Sequence, residues 1–387
     1  MPSTKDVVLL AVDDATVTLG AQFREVALGL LITALNPSSS SYAWYFLIGS
    51  IPGLVLPRVY SWVSGRFASK PIMLATYGAR LLMVLGLWRV ANFWAALALL
   101  AGLSTGGGIY SSAQAHYVAV PDDFAATRQV IMRLRQSESA LRLIGPLVAG
   151  IILAWSGYRG GFLISAGAYA FALLAVSRLS GGVGGSRGGS WERINWRPDR
   201  AALAMFGVSL LTWPANTLAM AYTFHVLHRQ MVGYGVELSV WGGSGLLASW
   251  VLARISVRPL QWIPPLYAVL GVCWLILSHG VSFPIFIVLG GLEGFAAWLV
   301  QDLAAAFILA RAPEGHAGHA RARLGAFDEM GAIAGTAALL LVPSAWLVRP
   351  MYAVVGVLGL LAAVIWWGTE EVTRRRGQGS VQDVNEK

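Results

Sequence analysis

Apolar runs of about twenty residues recur along the whole chain, and this spacing constrains the fold more than any other feature. A helix rising 1.5 Å per residue needs roughly 20 apolar residues to cross a bilayer. Twelve such runs are predicted: 7–34, 41–60, 71–91, 94–119, 137–156, 160–178, 201–227, 234–254, 260–278, 283–310, 324–347 and 350–368. Inside a bilayer every backbone polar group must be satisfied internally, and strand-type alternation is absent, so the runs read as helices and not as a barrel. Composition excludes the soluble alternative. Only 12% of the 387 residues are charged, against about 25% in an ordinary soluble domain, and mean hydropathy is +0.63.

Charge placement predicts orientation. With the N-terminus inside, 21 of the 28 Lys and Arg fall in inner segments. Only Arg89, Arg159, Arg229 and Arg349 fall in outer loops, while Arg24, Arg80 and Arg142 lie within spans. An even span count with both termini cytoplasmic follows, in a multi-pass protein of the inner (plasma) membrane. The net charge of +9 then reads as topogenic rather than as a nucleic-acid footprint, because no recognition motif accompanies the basic residues. The N-terminal text "MPSTKDVVLLAVDDATV" lacks a signal-peptide layout, so the first helix is expected to act as the insertion signal. Cys273 is the only cysteine, which excludes an intrachain disulfide or a cysteine metal cluster. No phosphate-binding loop, dinucleotide fingerprint or metalloprotease pair is present, so no enzyme activity, cofactor or metal is expected.

The text "SGGVGGSRGGSWERINWRPDR" is Gly/Ser-rich, then charged, and reads as a linker over 180–200. It separates six predicted spans at 1–179 from six at 201–369, with a cytoplasmic tail at 370–387. The two halves echo each other. "VPDDFAATRQVIMRLRQSESALRLIGPLVAGIIL" follows the fourth run and "APEGHAGHARARLGAFDEMGAIAGTAALLLV" the tenth. Glu138 and Gly145 in one correspond to Asp328 and Gly335 in the other, about half a chain apart. The predicted fold is therefore all-α, with 12 transmembrane helices in two pseudo-symmetric six-helix bundles, the layout of two-halved transporters.

Several stretches carry a family resemblance. "LGAQFREVALGLLITAL", "GLSTGGGIYSSAQAHYVAVPDD" and "ALRLIGPLVAGIIL" followed by "WSGYRGGFLISAGAYAFALLAV" resemble the first, fourth, fifth and sixth helices of the major facilitator superfamily, particularly its drug- and siderophore-exporter branch. Gly145, Pro146, Ala149 and Gly150 match the core of that branch's antiporter motif, with Ala149 in place of one glycine and Leu141 in place of an earlier one. Gly65 stands where the family's loop between helices two and three has an acid, and Ala21 where this branch has an acid in helix one. The resemblance implies proton-coupled efflux of a small amphipathic molecule by alternating access, from a monomer in the lipid bilayer. A lipid or lysolipid flippase on the same fold is the nearest alternative. A polytopic enzyme, or a scaffold or receptor that transports nothing, is the alternative of another class.

The first helix is the most unusual. A charge at the bilayer centre costs roughly 2.5–3.5 kcal/mol on insertion scales, yet Asp13, Asp14, Arg24 and Glu25 all fall here. Asp14, Thr18, Ala21, Gln22, Glu25 and Gly29 share one helical stripe, while Asp13, Val17, Gly20 and Arg24 form its neighbour. Either the first stripe lines a cavity, with Glu25 as a proton or substrate site, or the charges form a buried ion pair. The cavity candidates are Asp14, Gln22, Arg24, Glu25, Gln114, Asn216, Glu293, Gln301 and Asp302. Glu293 and Asp302 stand out because no opposite charge lies a turn away on their helix. For gating, the family implies charge contacts between halves. Arg66 or Lys70 is expected to face Asp328 and Glu329, and Glu138 to face Arg254. Glu138 and Arg142 are also placed to pair with each other, and Gly145–Pro146 to kink their helix. His225 and His228 make a weak metal pair and read as interfacial. "STGGGIYSSAQ" reads as close helix packing or as space beside a cavity.

Overall fold

The computed structural model describes residues 4–36, 38–118, 124–180, 198–252, 254, 259–311, 317–342 and 348–385. All regular structure among them is helical. The helices are α1 (Thr4–Leu35), α2 (Ser39–Val55), α3 (Pro57–Arg66), α4 (Ser69–Arg89), α5 (Phe93–Val118), α6 (Phe124–Ser177), α7 (Arg200–Ala221), α8 (Gln230–Leu252), α9 (Ile263–Ser278), α10 (Phe283–Arg311), α11 (Ala317–Leu340) and α12 (Arg349–Asn385). Eight of them contain a stretch long and apolar enough to cross a membrane. One of these stretches, Leu141–Ser177, is 37 residues long. That is nearly twice the roughly 20 a single crossing needs.

Twelve helices and twelve predicted runs do not correspond one to one. The second run is split at Leu56, because Pro57 has no N–H to continue the ladder and instead starts α3 at its first position. The fifth and sixth runs are joined in α6, where Gly157 adopts φ 68°, ψ 175° and turns the chain without a loop. Such a backbone is accessible to glycine almost alone. The seventh run ends in a single π-turn, Tyr222–Val226, followed by His228 at φ 51°. Helical backbone in α12 continues well past the expected end of its apolar run. The linker, 181–197, lies outside the described residues.

Contacts divide the chain into two compact units, Met1–Arg193 with Ala219–Gly243, and Ile194–Leu218 with Ser244–Lys387. In the first unit α1 lies along α6. A side chain at Gly20 would meet Ala168 and Ser165, and one at Gly161 would meet Ala27 and the carbonyl of Phe23, so the two helices approach backbone to backbone. At one end Asp6 accepts hydrogen bonds from the Ser180 N–H (2.9 Å) and hydroxyl, while Tyr117 donates to the Ser180 carbonyl (3.0 Å) and Lys70 to that of Leu179 (2.7 Å). These contacts tie the end of α6 to α1, α4 and α5. Gly235, Gly242 and Gly243 of α8 rest against Pro146, Arg142 and Leu143 of α6, and Ser239 Oγ accepts the Leu147 N–H at 2.9 Å.

In the second unit α9 packs on α12 through Gly271 and Gly356, where a Cβ on Gly271 would lie 2.8 Å from the Gly356 carbonyl. The halfway echo recurs as packing. Gly145 of α6 sits against Gln22 of α1, and Gly335 of α11 against Leu210 and Pro214 of α7, which bracket the position equivalent to Gln22.

Candidate functional site

The two stripes of α1 meet different surroundings. Asp13, Gly20 and Arg24 turn toward the other helices of the first unit, and Asp13 is 0% exposed. Asp14, Thr18, Ala21 and Glu25 are half-buried. Asp13 accepts hydrogen bonds from Tyr77 of α4 at 2.9 Å and from Tyr110 of α5. The rings of Tyr77 and Tyr110 stack with centroids 4.5 Å apart, and Tyr77 also touches Tyr169 of α6 at 5.9 Å. Two arginines converge on Tyr169. Arg24 donates to its hydroxyl at 2.5 Å, and the Arg80 guanidinium lies 4.7 Å from its ring centroid. Asp14 accepts from Gln114 Nε2 with both carboxylate oxygens, at 2.8 and 2.9 Å. Four helices, α1, α4, α5 and α6, thus close a polar network inside an apolar bundle.

The triple glycine of α5 makes room for this network. A Cβ at Gly106 would lie 3.0 Å from Arg80 Cγ, and one at Gly108 would overlap the Tyr60 ring. Arg80 can therefore lie along α5, and Tyr60 can reach the Pro52 carbonyl at 3.0 Å.

Glu25 differs from the other acids of α1. Among the described residues it makes no hydrogen bond or ion pair, and its charged neighbours are Arg142 and Arg24. Tyr45 of α2 and Tyr234 of α8 lie close enough to feel its charge, and Tyr234 also feels that of Glu237. Beyond Glu25, Tyr42 Oη pairs with Thr33 Oγ1 at 2.8 Å and with His225 Nε2 at 3.1 Å. His225 is thus bonded to a phenol, and no metal-binding cluster occurs among the described residues.

The remaining candidates divide between the units. Gln22 is buried against Gly145. In the second unit, Asn216 and Gln301 are half-buried, and Asp302 accepts from Ser249 at 3.2 Å. Glu293 is 4% exposed, with Cys273 and Trp274 of α9 beside it and no partner for Oε1. Among the gating candidates, Arg66 covers the Trp62 ring at 5.6 Å, and Lys70 is held by Leu179. Arg254 lies 3.4 Å over the Trp250 ring and donates to its carbonyl. Asp328 accepts from Ser209, and Glu329 is half-buried. Arg142 is exposed. The side chain of Glu138 lies outside the described residues.

No family model and no curated protein matches the chain. Solved structures do. The nucleoside transporter NupG superposes with a TM-score of 0.71 at 12% identity over 95% of this chain and 99% of its own. A bacterial homologue of the iron transporter ferroportin, in an inward-facing state, gives 0.72 at 15% identity over 95% and 99%. A POT family transporter bound to a thioalcohol-conjugated peptide gives 0.73 at 11% identity over 94% and 96%. The chain shares the fold of these structures. At these identities the likeness concerns the fold alone.

Sequence reasoning placed Asp14 with Gln114 in one candidate set, and the structure joins them. Asp13 and Arg80 were evident as charges but not as partners of Tyr77, Tyr110 and Tyr169. Those tyrosines sit in apolar text, and only the polar demand of Asp13 for donors and of Arg24 and Arg80 for acceptors pointed to partners nearby. Glu237 of α8, 5% exposed, carried a visible signal as an acid inside an apolar run and was not among the candidates.

Proposed function

We propose that the protein is a secondary active transporter that moves a small amphipathic organic molecule out of the cell in exchange for protons. The observation that carries this reading is Glu25. Asp13 and Asp14 on the same helix accept hydrogen bonds from phenol or amide donors, whereas Glu25 accepts none among the described residues and stands half-buried between Arg24 and Arg142 with neither as an ion-pair partner. A carboxyl held this way can change its protonation as its surroundings change, and alternating access supplies that change. Arg66 or Lys70 with Asp328 and Glu329, and Glu138 with Arg254, would latch the cytoplasmic side in the state closed there, with Gly145–Pro146 as the bending point. Wet contacts of this kind contribute about 0–1 kcal/mol, so they bias the state rather than hold the fold.

The test uses inverted vesicles and a panel of labelled candidate substrates. The Glu25→Gln protein is expected to fold, bind and exchange substrate, yet fail to concentrate it under an imposed pH gradient. Full accumulation by that variant removes Glu25 from the mechanism. Loss of folded protein instead assigns Glu25 a structural role.

A further inference from the structure

We propose that Arg24 and Arg80, with the Tyr169 hydroxyl, form a subsite for an oxyanion, a carboxylate or phosphate group carried by the transported molecule. The inference rests on the transporter reading above and narrows its substrate class.

A guanidinium within an apolar bundle demands partners for five N–H groups. Arg80 is 8% exposed, and among the described residues it donates no hydrogen bond; its Nε is buried without a partner. Its one specific contact, the face of Tyr169, satisfies charge but not N–H direction. Arg24 gives one bond, to the Tyr169 hydroxyl. Among the described residues neither arginine has a carboxylate within ion-pair distance, although Asp13, whose two phenol bonds both go to Oδ2 and whose Oδ1 lacks a partner, lies near enough to Arg80 to feel its charge. Two cations therefore approach the same ring with no carboxylate paired to either.

Space and a third donor are present. A Cβ built on Gly107 would find only Arg80 Nη2 and Cζ within 4 Å, at 3.8 and 4.0 Å, so no side chain of α5 stands between that turn and the guanidinium. Tyr169 already accepts from Arg24, which frees its own O–H to donate outward. Forked guanidinium donors with a phenol O–H match the several oxygens of a carboxylate or phosphate, and do not match a cation or a neutral amide as well.

The full chain in phosphatidylcholine nanodiscs would be titrated with citrate, glycerol 3-phosphate and lysophosphatidylglycerol, with a quaternary ammonium compound as the cationic control. Binding is read by calorimetry, and folding by the melting temperature without ligand. At least one anion is expected to bind, with affinity falling tenfold or more in Arg80→Gln and in Arg24→Gln and severalfold in Tyr169→Phe. Arg80→Lys, which keeps charge but loses the fork, should fall between wild type and Arg80→Gln, and it serves if Arg80→Gln does not fold. Binding by lysophosphatidylglycerol alone assigns the site to a lipid headgroup, and binding by the soluble anions assigns it to free solutes. No anion binding, or binding equal in wild type and variants, overturns the subsite. Transport that still depends on Glu25 would then leave the transporter reading standing. Anion binding at the arginines without any transport keeps the subsite and removes the transporter reading.

Discussion

Replacing the two phenols that hold Asp13 measures what this network contributes. Tyr77→Phe removes the 2.9 Å donor to Asp13 Oδ2, and Tyr110→Phe removes the other. Neither change alters the ring stack between them, and Oδ1 of Asp13 already has no hydrogen-bond partner, so no substitute donor is in place. A hydrogen bond to a charged group contributes about 1.5–3 kcal/mol, whereas side-chain hydrogen bonds between membrane helices average about 0.6 kcal/mol. If Asp13 is ionised, each Phe variant should therefore cost about 1.5–3 kcal/mol; if it carries a proton, the cost falls to roughly 0.6 kcal/mol. The same two substitutions in an Asp13→Asn background complete a double-mutant cycle that separates the carboxylate contribution from loss of the hydroxyl itself. Steric-trapping unfolding in bicelles reads the free energies. Changes under about 0.3 kcal/mol for both tyrosines in both backgrounds would refute the view that they stabilise Asp13 by donation.

Other consequences are as direct. Gly157→Ala forces a side chain into φ 68°, ψ 175° and should cost about 1–3 kcal/mol in thermal stability, with the helices on either side unchanged by circular dichroism. Gly271→Leu places side-chain atoms where the Gly356 carbonyl and Leu360 now lie and should separate α9 from α12, seen as loss of a disulfide engineered across that crossing. The Asp328→Asn/Glu329→Gln double variant should shift spin-label distances across the cytoplasmic side toward the open population, and unchanged distances remove the latch. Reporter fusions after Arg376 and before Lys5 should both read cytoplasmic; opposite sides would overturn the orientation inferred from the basic residues.

Periodicity and charge made the fold legible because apolar length, helix geometry and backbone satisfaction leave a bilayer few alternatives. The echo of Gly145 and Gly335 was visible in the text, and both glycines pack on the matching part of the first helix of their half. Both stripes of α1 mix buried and half-buried positions, with Asp13, Gly20, Gln22 and Gly29 buried and Asp14, Val17, Thr18, Ala21, Arg24 and Glu25 half-buried. What stayed hidden depended on tertiary placement. Tyr77, Tyr110 and Tyr169 count as apolar in a hydropathy pattern, and a phenol donates to an acid or accepts from an arginine only when the fold brings the two together. Pro57 and Gly157 were equally hard to weigh, since proline at a first helical position and glycine in a turn keep the surrounding text apolar. A buried ion pair was one of the two readings of the α1 charges, and Arg24 meets the Tyr169 phenol.

The contact of α8 with α6 has a thermal consequence. It is made by Gly235 and Gly242 against backbone, by Gly243 against the Leu143 side chain, and by one hydrogen bond from Leu147 to Ser239. Parting such a seam uncovers little apolar surface, and lipid tails would meet what is uncovered without the hydration that gives unfolding its heat capacity. An equilibrium that opens and closes there should therefore have a nearly constant enthalpy, giving a straight van't Hoff plot across the growth range where a water-exposed hydrophobic hinge would give a curved one.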